Sequence, residues 1–310
     1  MRSDGKKVTK VSPMYLIAPY FMTSRNDALN MINISAPYDN VHNYVLEQRK
    51  KGIKISHMAV VLAAYVRVVS QFRCLNRFVV NKKIYAHKEL QTAMVVLRPG
   101  DGNETMGKIK FDLADTIFDV NERIEKYVEE NASADSNNDL DKILNFFLKI
   151  PFVLRFAMWL LRKLDNWGML PKAIINASPF HETMVFTNLA SIKTNYIYHH
   201  IYNFGTCNVV LAMGSTVEKA KTVKGEIKMV KEIPFGMVMD ERIADGHYFA
   251  QAFAEFKKYM SDPSLLETPP ETLDVDYEFP TLSSRFPTKA QIKAEKKAAK
   301  KAAKENKKSK

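Results

Sequence analysis

Cysteine is nearly absent: Cys74 and Cys207 are the only two in 310 residues. Two cysteines cannot build a disulfide framework, and without CxxC or Cys/His spacing they do not suggest a zinc site. The expectation is a reducing, cytoplasmic setting with no metal. Also missing is an uninterrupted apolar run. The most apolar stretch, Ile143 to Leu161, is broken by Lys149, Pro151 and Arg155, whereas a spanning helix needs about 20 residues with few or no charges. Met1 to Lys10 is charged with no apolar core behind it, so no secretion signal is read there. No internal repeat is visible.

Charge is plentiful but unevenly placed. The formal net charge is +12, yet residues 289–310 hold ten lysines against Glu295 and Glu305, so eight of those charges belong to the tail and about four to the body. Nucleic-acid binding is therefore not expected, because the tail's charge comes without aromatic residues to stack on bases. The tail has nothing to bury and reads as a solvated extension. At 46% hydrophobic, the remainder is long enough for one large core.

Strand and helix signals alternate along that body. Asn40–Lys50 places Val41, Tyr44, Val45 and Gln48 on one helical face, closed by Gly52. Ser56 caps an apolar helix from His57 to Phe72. Phe78–Val80 and Ile84–Tyr85 flank Asn81-Lys82-Lys83 as a hairpin, and Thr92–Leu97 reads as a buried strand ending at Pro99-Gly100. A helix around Leu113–Glu130 leads to a polar loop, Asn131–Asp139, then to an apolar helix pair from Leu140 to Leu170 broken at Pro151 and near Gly168. Four further strand-like runs follow: Met184–Thr187, Val209–Met213, Ile227–Ile233 and Phe235–Met239. Gly246–Met260 is an amphipathic helix with Phe249, Phe253 and Phe256 inward. The organisation expected is an N-terminal arm over 1–19, a mixed α/β domain over 20–285 with an apolar insertion at 140–170, and a basic tail over 286–310.

One block is more specific. Pro234–Tyr259, PFGMVMDERIADGHYFAQAFAEFKKY, runs strand, Asp-x-Arg-x-x-Asp-Gly, amphipathic helix. It resembles the C-terminal signature of dihydrolipoamide acyltransferase catalytic domains, and chloramphenicol acetyltransferases share the arrangement with His-x-x-x-Asp-Gly on the turn. Phe186-Thr187-Asn188-Leu189 resembles the family's Ser-Asn-Leu strand end. Arg25, ahead of Met31–Ser35 and the helix after it, resembles the way the catalytic domain opens. The resemblance covers roughly residues 20–262. It implies an α/β, two-layer mixed-sheet sandwich of the chloramphenicol acetyltransferase type, assembled as a homotrimer with its sites between subunits.

The resemblance also implies a chemistry. The motif histidine removes a proton from an acceptor thiol or hydroxyl, which then attacks a coenzyme A thioester. A serine of the neighbouring subunit steadies the oxyanion, and the motif aspartate pairs with an arginine to hold the loop. Carried over, Asp245 is that aspartate, Gly246 the glycine, Arg25 the arginine, Thr187 the oxyanion donor and Asn188 its neighbour. Four residues before Asp245, where the histidine belongs, stands Glu241. Glutamate titrates at about 4.3 against about 6.5 for histidine, roughly two units too low for a base at pH 7. Three routes stay open: Glu241 is a retuned base, another group supplies the base, or the site has left this chemistry.

His199 and His200 are the candidate substitutes, since they lie between the two family strands in a region that lines the acceptor pocket in such acetyltransferases. Surface or interface histidines are the plainer reading of that pair. His181, ahead of the Thr187 strand where it could face solvent, is a weaker candidate, and His247 is expected to be structural. The leading reading is an acyl-CoA-dependent acyltransferase with an unidentified acceptor and no covalently bound cofactor. The rival is a catalytically inactive trimeric binding or scaffold protein of the same fold. Peripheral membrane contact through the 140–170 insertion is not the favoured reading; extra packing or an oligomer surface is.

Overall fold

The computed structural model describes residues 2–97, 104–132, 151–223 and 225–276. In chain order the elements are β1 (Gly5–Lys7), α1 (Pro13–Phe21), β2 (Leu29–Pro37), α2 (Tyr38–Lys50), α3 (His57–Gln71), β3 (Arg77–Val80), β4 (Lys83–His87), β5 (Leu90–Leu97) and β6 (Glu104–Phe111). There follow α4 (Ile117–Ala132), α5 (Pro151–Trp167), α6 (Lys172–Ala177), β7 (Met184–Asn188), β8 (Val209–Met213), β9 (Val217–Val223), β10 (Glu226–Asp240) and α7 (Gly246–Ser261). The polar loop after Ala132, the first half of the 140–170 segment, Pro99-Gly100 and the lysine tail lie outside the described residues.

Local signals account for the element ends. The Ser56 hydroxyl accepts from the Ala59 N–H at 3.0 Å to start α3, and Gly52, with φ +83°, turns the chain after α2. The helix expected from Leu113 begins at Ile117 because Thr116 and Asp119 form a reciprocal capping box: the Thr116 N–H donates to the Asp119 carboxylate at 2.9 Å and the Asp119 N–H to the Thr116 hydroxyl at 3.3 Å. Asn81 and Lys82 both have positive φ, the requirement of a two-residue hairpin turn joining β3 to β4.

The main sheet has seven strands in the order β2-β10-β8-β7-β5-β6, with β9 paired to the first half of β10. The pairs β5/β7 and β7/β8 are parallel and the others antiparallel. A separate antiparallel sheet, β1-β4-β3, takes in Gly5–Lys7 of the N-terminal residues. Ile227–Ile233 and Phe235–Met239, expected as two strands, are one strand of 15 residues. Pro234 does not break it because it falls where β10 changes partner: residues up to Glu232 pair with β9 and residues from Phe235 pair with β8. A proline lacking an N–H is tolerated in such a gap.

Alternation along the central strands separates two faces. Val209, Leu211 and Met213 of β8, with Phe235, Met237 and Met239 of β10, join one apolar cluster with α2, α3 and α7. Every residue of α3 from Ala59 to Ser70 is buried, which explains why its sequence shows no polar stripe. On the other face Val210 and Val238 meet Ile201 and Cys207, which belong to an irregular strap, residues 194–207. The result is a two-layer mixed-sheet sandwich with the strap laid over its free face.

Gly205 pins the strap. Its φ is +95°, and a Cβ there would run into the Phe180 carbonyl. Gly205→Ala should cost more than about 1 kcal/mol, the floor for a side chain forced into an incompatible conformation. A lower urea midpoint with an unchanged slope would report it.

Candidate active site

Strand β10 ends on Asp240, which is fully buried and shares its carboxylate between two arginines. Arg242 grips it from two positions away, with Nε at 2.8 Å and Nη2 at 2.7 Å. Arg25 approaches from the other side, its Nε 3.7 Å from Asp240 Oδ2. The same guanidinium donates to the carbonyls of Tyr202 (2.9 Å) and Gly205 (2.6 Å). Arg25 therefore ties the strand end to the strap.

This corrects the pairing expected from the family motif, in which Arg25 held Asp245. Asp245 is exposed, and among the described residues no cation pairs with it. It serves instead as the N-cap of α7, accepting from the Tyr248 N–H at 2.8 Å and from the Tyr15 hydroxyl at 2.9 Å. These two donors hold its carboxyl below the usual carboxylate range. Strand parity explains the difference. Val238 and Asp240 point to the strap face, where Arg25 lies, whereas Asp245 comes after the turn, on the helix.

Glu241 follows, half-buried, with its N–H donating to the Ala28 carbonyl at 2.8 Å. Arg242, its neighbour, is turned inward to Asp240. Among the described residues the Glu241 carboxylate has no ion pair or hydrogen bond. Gly246 opens α7 with ordinary negative-φ geometry, and a Cβ there would meet no atom within 4 Å, so the fold does not require glycine at that position.

The other predicted site residues lie elsewhere. Thr187, half-buried on β7, stands opposite Ala212 of β8, which stands opposite Gly236 of β10. Four residues separate Gly236 from Asp240, about 13 Å of strand. A single chain thus does not bring Thr187 and Glu241 together. Asn188 lies beside Thr187, its buried Oδ1 without a hydrogen-bond partner among the described residues. The strap spans the gap: a Cβ on Gly236 would strike the Tyr196 ring, Ile201 packs on Val238, and Asn203 Oδ1 accepts from the Arg25 N–H at 2.8 Å. His199, half-buried, and His200, exposed, lie between those contacts. His247 is exposed at the start of α7.

His181, the weaker candidate base, is buried. Its Nδ1 lies 2.8 Å from the Ser178 hydroxyl and its Nε2 3.4 Å from Asp165, which also holds Arg2 at 2.7 Å. It borders a polar group the sequence reading missed. Next to it Glu182 is buried with neither carboxyl oxygen hydrogen-bonded among the described residues, and burial pushes its pKa up to about 8 against the pull of Lys108. Burial likewise depresses His87 to about 3. His87 and His181 line a cavity of about 290 Å³ together with Asp4, Lys88 and Lys172. The adjacent His-Glu pair was the only local signal; His87 sits 94 residues earlier and offered none.

Comparison with known proteins agrees with this architecture. Residues 181–268 match the family described as 2-oxoacid dehydrogenases acyltransferase (catalytic domain). Among solved structures, the cubic core of the pyruvate dehydrogenase multienzyme complex is similar at TM-score 0.53 and 12% identity, over 83% of this chain and 93% of that one. A probable dihydrolipoamide acetyltransferase from Listeria monocytogenes 4b F2365 is similar at 0.52 and 14%, over 82% and 94%. A chloramphenicol acetyltransferase is similar at 0.51 and 9%, over 83% and 99%. No curated protein sequence matches the chain. The fold is therefore that of the chloramphenicol acetyltransferase-like catalytic cores. Within that class, the block carrying Thr187, β8 and the Asp240–Gly246 turn is the part that matches the 2-oxoacid dehydrogenase acyltransferase family.

Two predictions follow from the site's wiring. Asp240→Ala strands two buried arginines and should cost about 3–5 kcal/mol, whereas Asp245→Ala removes an exposed cap and should cost about 1 kcal/mol; paired urea titrations separate the two. For Glu182 the folded pKa is raised above the unfolded value. The stability this contributes is present in full below the ordinary glutamate range and is lost as pH rises toward about 8. Glu182→Gln should therefore gain on the wild type in urea midpoint between pH 5 and pH 8; a pH-independent difference would refute the raised pKa.

Proposed function

We propose that the protein transfers an acyl group from a coenzyme A thioester to a thiol, hydroxyl or amine acceptor, with Glu241 as general base and a homotrimer as the working unit. The observation that carries this reading is the turn around residue 241. Asp240 and two buried arginines anchor its start, Asp245 and Tyr15 anchor its end, and the Glu241 carboxylate between them has no partner among the described residues. Gly246, which the fold does not need as glycine, has open space around it for a ligand's close approach.

In this reading Glu241 takes the proton from the acceptor as its heteroatom attacks the thioester carbonyl. The oxyanion accepts a hydrogen bond from Thr187 Oγ1 of an adjacent copy, since the two residues are separated within one copy. Collapse of the tetrahedral intermediate breaks the carbon–sulfur bond, and the departing coenzyme A thiolate recovers the proton from the glutamic acid. His199 and His200, on the strap, are the alternative bases. Glutamate at the family's histidine position favours the second reading, a binding protein of the same fold without turnover.

Release of free coenzyme A thiol from acetyl-CoA and longer acyl-CoA esters, across acceptors of the three classes, tests the proposal. Glu241→Gln should lower the rate by about 10²–10⁴-fold, the usual worth of a general base. A mild effect there with a similar loss in His199→Ala or His200→Ala would move the base to the strap. No turnover by the wild type, with acyl-CoA binding still seen by calorimetry, would leave the binding reading standing.

A further inference from the structure

Helix α5 carries an exposed aromatic stripe. Phe152, Phe156, Trp159, Leu160 and Trp167 recur at spacings of four, three, one and seven, which places them on one side of a helix. Their exposures run from 37% for Leu160 to 78% for Phe152. The other side meets the body through Asp165, paired with Arg2, and Gly168 just past the helix end also lies against Arg2. Between Pro151 and Leu164 the helix has three charged residues, Arg155, Arg162 and Lys163, all cationic and all exposed. The one acidic residue of α5, Asp165, is buried and held by Arg2.

A second apolar surface adjoins this one. Helix α1, PMYLIAPYF, contains no charged residue and exposes Met14, Tyr20 and Phe21. Both helices end against the tip of the β3–β4 hairpin. Lys82 Nζ lies 4.7 Å from the Tyr20 ring centroid, and Asn81 Nδ2 donates to the Asn166 carbonyl at 3.4 Å. Lys82 and Lys83 are exposed at that tip. Cations accompany the apolar residues: Arg155 and Arg162 flank the stripe, Lys163 lies within it with its Nζ 6.0 Å from the Trp159 ring, and Lys82 and Lys83 stand at the hairpin tip, while the exposed Asp245 carboxylate is held at Tyr15 of α1.

We propose that this surface docks the protein on an anionic lipid bilayer, with α5 lying in the plane of the interface. Monomeric proteins rarely leave a contiguous face of Phe, Trp and Leu in water, so the face has an occupant. An isologous contact of this face with itself would oppose Arg155, Arg162 and Lys163 to the same cations of the other copy, and like charges so opposed repel. A leaflet with anionic headgroups meets the same cations with opposite charge, while Trp and Phe suit the boundary between headgroup and acyl chain. No helix among the described residues is long and apolar enough to cross a membrane, so the contact is with one leaflet. A membrane occupant also suits an acyl carrier with a long chain, but the proposal stands without that function.

The chain's own fluorescence reads the result, because both of its tryptophans, Trp159 and Trp167, are on the stripe. Full-length protein is titrated with phosphatidylcholine vesicles with and without phosphatidylglycerol, at low and high salt. Anionic vesicles should shift tryptophan emission to the blue, lipids brominated on the acyl chain should quench it, and neutral vesicles or high salt should weaken both signals. Phe152→Ser with Phe156→Ser keeps both reporters and, being on exposed residues, the fold; it should weaken binding at least about tenfold. Unchanged emission with anionic vesicles would overturn the proposal. So would co-sedimentation without a shift, which would assign binding to the lysine tail. A blue shift that grows with protein concentration in the absence of lipid would also overturn it, by identifying the occupant as a second copy.

Discussion

Asp240 lies at the point where the candidate site and the fold are joined. It is without exposure to water and holds two guanidinium groups, one from its own turn and one from a residue 215 positions earlier. A buried carboxylate is tolerable only when its charge and its lone pairs are both met, and here each arginine is needed for that. Arg25 then has donors to spare, and it places them on the strap at Tyr202 and Gly205. One buried ionic cluster thus fixes the end of β10, the direction of the turn carrying Glu241, and the path of the segment carrying His199 and His200.

The arrangement separates rigidity from chemistry. In the expectation drawn from the family motif, one aspartate, Asp245, both held the loop and met the arginine. In this chain the two duties fall on different residues: Asp240 takes the arginine, and Asp245 caps α7 with Tyr15 as a second donor. Glu241 sits between two anchors that do not need it. Its replacement by another side chain therefore leaves the turn's supports in place, so the identity of residue 241 was free to change without the fold changing.

Much of the architecture was legible because local periodicity and burial agree. The face Val41, Tyr44, Val45 and Gln48 read from the sequence is the buried face of α2, and Phe249, Phe253 and Phe256 are buried on α7. The Ser56 cap and the hairpin turn at Asn81-Lys82 rest on contacts a few residues apart. The errors came where distant partners decide. Pro234 suggested a strand break, and only the exchange of β9 for β8 as neighbour shows why there is none. His181 looked like a loop histidine, and its burial comes from Asp165 on a helix whose position no nearby residue announces.

The amino-acid sequence by itself determined α2, α3, α4 and α7, the β3–β4 hairpin, β5, β7 and β8, the family signature and the absence of a histidine at position 241, since each depends on spacing within one segment. Tertiary structure alone decided which aspartate receives Arg25, that Thr187 and Glu241 occupy opposite ends of one sheet, and that the aromatic side of α5 faces outward. Those outcomes depend on which segments lie against one another across the sheet, and a buried charge or an apolar face selects its partner by proximity in space rather than by distance along the chain.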